Sequence, residues 1–185
     1  IALVKWLGKA SVTQEAFNNT QERAKELSAE KTESIQAEKS ALNALVGAII
    51  DTNDNEQLRN DLIEQLQKQY PGFLANIEKE KITNELLRGA LMNANQEYER
   101  RINLMAEEAK AQAYQETLVD LNKTLIQQEQ ELATATKDRK KNKIREQISE
   151  TQAAIKAIQE GYQEAVKSVE QAKKSLNDFT SVEGM

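Results

Sequence analysis

The chain contains no cysteine and no histidine, and it has one proline among its 185 residues. The absence of cysteine and histidine excludes disulfides and also thiolate or imidazole metal sites. It also removes the most common general base and the usual nucleophile–base pairs of covalent catalysis. We therefore expect a protein that is not an enzyme and that has no cofactor, no metal site and no small-molecule substrate.

Aromatic residues are also scarce, at 4 % of the chain, with three phenylalanines and one tryptophan. So few large side chains cannot build a thick globular core, whereas the abundant Glu, Lys, Gln, Ala and Leu are good helix formers. The apolar residues must therefore lie in narrow stripes, as in coiled coils and long bundles. The net charge of −5, with interspersed signs, gives no general attraction for nucleic acid, which is not an expected partner.

No long hydrophobic run is present, and the opening stretch IALVKWLG, residues 1–8, is too short to span a bilayer. The apolar N-terminal segment, residues 1–13, either packs as a helix on a neighbour or ends a longer apolar segment. A chain that begins at Ile1 rather than Met is expected to be a piece of a longer protein. Membrane contact is expected only for that parent chain, near residues 1–8.

A smaller helical subdomain is predicted for residues 14–82. Its first helix, over residues 14–50, ends before DTNDN, a turn signal because Asn and Asp side chains bond nearby backbone groups. Asp54 is the expected N-cap of the second helix. The inner face of that helix is predicted to contain Leu58, Leu62, Leu66 and Tyr70. The helix must end at Tyr70, because the residue before a proline is pushed out of the helical region.

The five residues that follow this helix are predicted to form a structural corner, consisting of Tyr70, Pro71, Gly72, Phe73 and Leu74. Proline suits the first position of a new turn, and the last two residues give that turn apolar side chains to bury. The corner would let the short helix pack against the apolar run LVGAII, residues 45–50. Thr83 is expected to cap the helix that comes next.

Two heptad seams within residues 83–180 predict a long antiparallel helical hairpin or coiled coil, because their apolar residues alternate steps of three and four. The first seam contains Leu118, Leu121, Leu125 and Leu132; the second contains Ile144, Ile148, Ile155, Ile158, Tyr162, Val169 and Leu176. Each seam has one polar interruption, Gln128 and Thr151 respectively, and single polar seam residues often set register. The predicted fold class is all-α.

The two seams are out of phase, and the polar run TKDRKKNK separates them. We therefore expect two helices of roughly 40 to 55 residues, or about 60 to 80 Å, joined by a turn near residues 137–142. The alternative is one continuous helix with a stutter. A short tail, residues 181–185, completes the chain.

The basic residues around the predicted turn are Lys137, Arg139, Lys140, Lys141, Lys143 and Arg145. This run, residues 137–145, is the one local charge excess in the chain. It either keeps an exposed hairpin tip soluble or contacts phosphates. Because no aromatic residue is interleaved with it, the solvated tip is the favoured interpretation of this sequence.

Residues 40–105 carry four successive elements. A helix contains the pattern Leu-x-x-Leu-Val-x-x-Ile at residues 42–49, an Asn/Asp-rich turn follows, and the next helix, residues 58–74, ends in Lys-x-Tyr-Pro-x-Phe-Leu. Asn-x-x-Leu occupies residues 84–87, and Asn-x-x-Tyr-x-x-x-Ile occupies residues 95–102. In this order the elements resemble a segment of phage tail tape measure proteins, as found in phages and prophages of the Bacteroidetes.

The resemblance implies a structural role, as a helical segment of the length-determining scaffold of a phage tail. It implies a location in the virion tail, or in the host bacterial cytoplasm during assembly. The implied partners are other copies of the chain and tail tube proteins, and no catalytic residue carries over. The alternative is a coiled-coil adaptor or scaffold protein that mediates protein–protein interaction.

Overall fold

A computed structural model of the protein describes residues 2–52, 55–74 and 77–183, except for the side chains of residues 2–11, 80 and 180–183. The helices are α1 (Ala2–Asp51), α2 (Glu56–Gln69), α3 (Asn84–Thr134) and α4 (Asp138–Glu183). A 3₁₀ turn, Lys79–Lys81, lies between α2 and α3. Because no strand occurs within these described ranges, the predicted all-α class is confirmed.

The long helical hairpin is confirmed as well. Its arms are α3, of 51 residues, and α4, of 46 residues, which agrees with the length expected from the two seams. Helix α3 packs against α4 and also against α1. The alternative of one continuous helix with a stutter is therefore wrong.

The connection between the arms lies earlier than predicted, at residues 135–137 rather than 137–142. Threonine is a weaker helix former than lysine or arginine, and Thr134 and Thr136 lie at the end of α3 and in the connection. Helix α4 starts directly afterwards, because the Lys141 N–H already donates to the Lys137 carbonyl at 3.0 Å. The basic run thus belongs mainly to α4 and only slightly to the turn.

The first helix is longer than expected, since α1 includes residues 2–13 without a break. The predicted boundary at residues 13 and 14 is therefore not a boundary of secondary structure. The second helix begins after Asn55, whose Oδ1 accepts a hydrogen bond from the Leu58 N–H at 3.1 Å. Asn55 is the N-cap in place of the predicted Asp54, which lies outside the described residues. Thr83 caps α3 as predicted, with its Oγ1 accepting from the Leu86 N–H at 3.2 Å.

The chain forms two compact units, each assembled from segments that are distant in the sequence. Unit 1 combines Ile1–Lys31 with Leu104–Lys174, and unit 2 combines Thr32–Asn103 with Ser175–Met185. The predicted subdomains were consecutive ranges, 14–82 and 83–180. The units differ from them because α1, α3 and α4 are each long enough to contribute to both units.

The core of unit 2 joins α1, α2 and α3. Its buried residues are Leu42, Val46, Ile49, Ile63, Leu66, Ile82, Leu87 and Tyr98. Leu58 was predicted on the inner face of α2, but it is 44 % exposed, whereas Ile63 is fully buried. Steps of four residues drift by about 40° each around a helix of 3.6 residues per turn, so a row with that spacing leaves the buried face.

The core of unit 1 is built with smaller side chains. Its buried residues are Ala16, Tyr114, Ala154, Ile158 and Ala165. The ring of Tyr114 fills the space over Gly161, where an added Cβ would lie 2.5 Å from the ring atom Cε1. This close approach sets the spacing between α3 and α4 within the unit.

Candidate functional site

The predicted corner is a turn that closes directly on the end of α2. The Tyr70 N–H donates to the Leu66 carbonyl, and the Phe73 N–H donates to the Tyr70 carbonyl, both at 2.8 Å. Pro71 and Gly72 are exposed, while Phe73 and Leu74 are half-buried and pack on the core of unit 2. The structure thus places the five corner residues together and directs the two apolar ones inward.

Polar contacts anchor the segment that returns from the corner to α3. The Arg59 guanidinium on α2 donates to the Ile82 carbonyl at 2.8 Å and to the Asn84 Oδ1 at 3.2 Å. The Lys79 ammonium lies 2.7 Å from the Glu64 carboxylate, and its hydrogen bond lowers the pKa of that exposed carboxyl. These contacts hold the segment between the corner and α3 against α2.

Backbone strain in the corner falls on a residue that the sequence did not single out. Leu74 has a φ of 57°, in the left-handed region, whereas Gly72 has no positive φ. A left-handed conformation costs a non-glycine residue roughly 1–2 kcal/mol. Burial of the Leu74 side chain against the core offsets this cost, so the corner is held by packing and not by glycine.

We expect Gly72→Ala to raise the free energy of unfolding by about 0.4–1 kcal/mol, because alanine reduces the freedom of the unfolded chain. An added Cβ at Gly72 meets nothing within 4 Å.

Leu74→Ala keeps the left-handed backbone but loses the contacts of the side chain with the core of unit 2. It should therefore lower the free energy of unfolding by about 1 kcal/mol. Urea unfolding followed by circular dichroism measures both; a stabilising Leu74→Ala would contradict this assignment.

Two tyrosines meet one glutamate beside the corner. The Tyr98 hydroxyl donates to the Glu38 Oε1 at 3.0 Å, and the Tyr70 hydroxyl reaches the Glu38 carbonyl at 3.5 Å. Burial, and then the hydrogen bond to Glu38, raise the pKa of Tyr98 far above its ordinary value of 10.0. Burial and the charge of Glu38 raise the pKa of Tyr70 as well. The pair lines a cleft of about 660 Å³ whose wall includes the corner.

The raised pKa of Tyr98 predicts a loss of stability in alkali. Above pH 10 the phenol ionises in the unfolded chain but stays protonated in the folded one, so the unfolded state binds fewer protons and stability falls. We expect a smaller fall between pH 10 and 11.5 in Tyr98→Phe, as measured by urea unfolding. Tyr70 and Tyr114, whose pKa values are also raised, contribute to the fall that remains. An unchanged slope in Tyr98→Phe would refute the assignment.

Pairs of polar side chains fix the register between α1 and α3 in each unit. In unit 2 the side-chain amides of Asn43 and Asn95 exchange hydrogen bonds of 3.1 and 2.9 Å. In unit 1 the buried hydroxyls of Thr20 and Thr117 are joined at 2.9 Å. A shift along either helix would break these bonds between α1 and α3, although Thr20, Thr117 and Asn43 would keep bonds to carbonyls of their own helices.

The predicted register residues, Gln128 and Thr151, occupy the packed face of the hairpin. Thr151 is 3 % exposed, and Gln128 is half-buried with its Oε1 lacking a hydrogen-bond partner among the described residues. The register pairs described above were not predicted, because a lone Asn or Thr on a helix has no periodic signal. Only the pairing of α1 with α3 reveals them.

All of the predicted seam residues lie on packed faces, and none is exposed. Ile144, Ile155 and Ile158 are buried. The half-buried ones are Leu118, Leu121, Leu125, Leu132, Ile148, Tyr162, Val169 and Leu176. Their pairing across the hairpin stays a prediction, because Leu118, Leu121 and Tyr162 pack on a cluster that also includes Ala16 of α1.

A groove of about 950 Å³ runs along α3 in unit 1. Its apolar lining includes Val119, Tyr162, Val166 and Val169. Ion pairs form its rim, with Arg23 joined to Asp120 at 3.2 Å and Lys173 joined to Glu108 at 3.3 Å. The groove therefore has apolar side chains between charged ones.

Chemical features are few in the part of the chain that the structure describes. Within it, no group of three or more acidic residues is arranged to hold a metal ion. No helix there carries an apolar stretch of the length needed to cross a bilayer. The opening stretch at residues 1–8 contributes backbone to α1 from residue 2, and its side chains lie outside the description.

Comparison with protein-family models, with curated proteins and with solved structures finds no match to the chain.

Proposed function

We propose that this chain is a helical segment of a phage tail tape measure protein, with a structural role and no catalysis of its own. The observation that carries the proposal is the ordered set of elements in residues 40–105, from the Leu42–Ile49 stripe through the Tyr70–Leu74 corner to Tyr98. These elements resemble that family, and in the structure they pack together in one core. The corner thus serves as an architectural element.

The lengths of the helices support a role in measuring distance. Helices α1, α3 and α4 contain 50, 51 and 46 residues. An α-helix rises about 1.5 Å per residue, so each of them is roughly 70–75 Å long. A chain of this kind relates residue number to length in a linear way, which is what a molecular ruler requires.

The folded hairpin stores less length per residue than a single open helix does. We infer that the same apolar seams pair between copies of the chain when it lies in an assembled tail. Lysine-directed cross-linking of purified tails, with isotopically mixed copies, tests this inference. We expect cross-links between copies across the α3 and α4 seams. Cross-links confined to single chains would contradict pairing between copies.

The proposal as a whole is tested by genetics in a phage or prophage that encodes this chain. Deleting residues 84–183 in frame removes about 100 residues, so we expect electron microscopy to show tails shortened by up to about 150 Å. A folded hairpin in the tail would give about half of that shortening. An unrelated helical hairpin of equal length should restore the tail. Tails of unchanged length, or tails whose mass spectra lack the chain, would contradict the proposal.

A second candidate is an adaptor that binds other proteins, and the groove on unit 1 favours it. Val119 is 48 % exposed in this groove, which is more apolar contact surface than a pure spacer needs. The two candidates differ in where the chain is found. An adaptor would be recovered in complexes from the host cell and would be missing from purified virions.

A further inference from the structure

The basic residues at the end of the hairpin form a surface that the proposed function does not use. We call this surface the basic tip; it consists of Lys137, Arg139, Lys140, Lys141, Lys143 and Arg145. All are exposed except Lys141, which is half-buried. Six basic residues and the single acid Asp138 give residues 137–145 a net charge of +5, whereas the whole chain carries −5. The rest of the chain therefore carries −10, and positive charge is concentrated at one place.

The position of the basic tip opposes the stability of the hairpin. Arg139, Lys140 and Lys141 lie in the first turn of α4, after Asp138, and the helix dipole disfavours cations there. Acidic residues at these positions would keep the tip equally soluble and would also stabilise the helix. A merely solvated tip therefore does not account for three cations in the first turn of α4.

The surroundings of the basic tip narrow the choice of partner. Within residues 135–145 the apolar side chains are Ala135 and Ile144, which are 8 % and 3 % exposed. These residues thus offer no exposed apolar side chain to insert into a lipid surface. They also have no aromatic or aliphatic anchor of the kind that dominates protein–protein binding. Charge is the only recognition element left, and a dense array of phosphates is its best complement.

We propose that the basic tip binds the phosphate backbone of duplex nucleic acid without reading its sequence. Arg139, Lys140 and Lys143 lie within about 100° of one another around α4, because each residue turns the helix by about 100°. One face of the helix therefore presents three cations to a row of phosphates, and duplex DNA carries about one negative charge per 1.7 Å of its axis. Arginine adds a planar fork that fits phosphate oxygens, which both Arg139 and Arg145 supply.

The test measures binding of the whole chain to a fluorescein-labelled duplex of about 20 bp by fluorescence anisotropy, from about 25 to 200 mM NaCl. We expect the logarithm of the affinity to fall linearly with the logarithm of salt concentration. The triple variant Arg139→Gln, Lys140→Gln, Lys143→Gln should bind at least about tenfold more weakly at the lowest salt. Its salt slope should be smaller by about 2.7, at 0.9 per phosphate contact.

A matched control removes the same charge from the same helix. Lys156, Lys167 and Lys174 are exposed on α4 beyond the basic tip, and changing all three to Gln gives an equal net charge. We expect this control to bind the duplex within about twofold of the unaltered chain. Equal weakening of the two triple variants, each shown to be helical by circular dichroism, would overturn the proposal. So would an unaltered chain that fails to bind the duplex at about 25 mM NaCl.

The same assay compares other polyanions as competitors of the labelled duplex. Vesicles with phosphatidylserine, and polyglutamate, should each compete more weakly than unlabelled duplex at equal charge. A single strand of equal length should also bind more weakly, because the basic tip has no aromatic side chain for base stacking. Stronger competition by vesicles, polyglutamate or the single strand would overturn the choice of duplex. None of these results depends on whether the chain measures tail length.

Discussion

Gly161→Ala should lower the free energy of unfolding by about 1–3 kcal/mol, although alanine favours helices over glycine. The added Cβ would lie 2.5, 2.7 and 2.9 Å from the Tyr114 atoms Cε1, Cζ and Oη. These atoms belong to a rigid ring that is 5 % exposed, so the ring cannot swing away without breaking the packing of unit 1. Thermal and urea unfolding measure the loss.

The chain supplies its own control for this substitution. Gly89→Ala is the same change in α3, where an added Cβ meets nothing within 4 Å. It should raise the free energy of unfolding by up to about 1 kcal/mol, the helix propensity difference alone. In a Tyr114→Leu background, Gly161→Ala should lose most of its cost. If it costs the same there, the contact with the ring is not the cause.

Leu66→Ala should lower the free energy of unfolding by about 2–5 kcal/mol, the range for a fully buried leucine. Leu66 is 0 % exposed in the core of unit 2, between α1 and the corner. The cavity left behind would loosen α2, so hydrogen exchange in Glu56–Gln69 should become faster.

The control for Leu66 lies two turns earlier on the same helix. Leu58→Ala removes the same atoms from a side chain that is 44 % exposed, so its effect should stay within about 0.5 kcal/mol. The sequence predicted one uniform inner face, formed by Leu58, Leu62, Leu66 and Tyr70. That prediction implies comparable losses of unfolding free energy at Leu58 and Leu66. Comparable losses would therefore favour that inner face over the observed packing.

The hairpin could be predicted because its signal is large and periodic. Ile144, Ile155 and Ile158 repeat with a heptad spacing, and the phase change before them requires either a turn or a stutter. The corner could be predicted because proline acts locally on the residue before it. Both signals come from residues whose effect does not depend on a distant partner.

The pairing of α1 with α3 in unit 1 could not be predicted, because small and polar side chains contribute to it on α1. Ala16 and Thr20 face the core of unit 1, while the neighbouring Phe17 is 43 % exposed. A hydrophobic pattern would place Phe17 in the core of this part of α1, whereas Ala16 and Thr20 are the buried residues. The sequence also does not predict the positive φ of Leu74 or the need for glycine at position 161. Each depends on residues that only the folded structure brings close.

The basic run, residues 137–145, could be predicted only in part. Its charge could be read from the sequence, but its meaning depended on where the turn lies. With the turn at residues 135–137, Arg139, Lys140 and Lys141 fall in the first turn of a helix, where the dipole disfavours cations. With the turn at the predicted 137–142, most of them would belong to the loop, and that argument would be lost.

The hydrogen bond between Thr20 and Thr117 joins residues 97 positions apart, which constrains the order of events during synthesis. The first part of α1 leaves the ribosome long before Leu104–Lys174, the rest of unit 1, exists. At about 5–20 residues per second, the 97 residues from Thr20 to Thr117 take about 5–19 s to add. During that interval Ala16 and Thr20 have no partner helix, so the nascent chain at this stage is a natural target for chaperones.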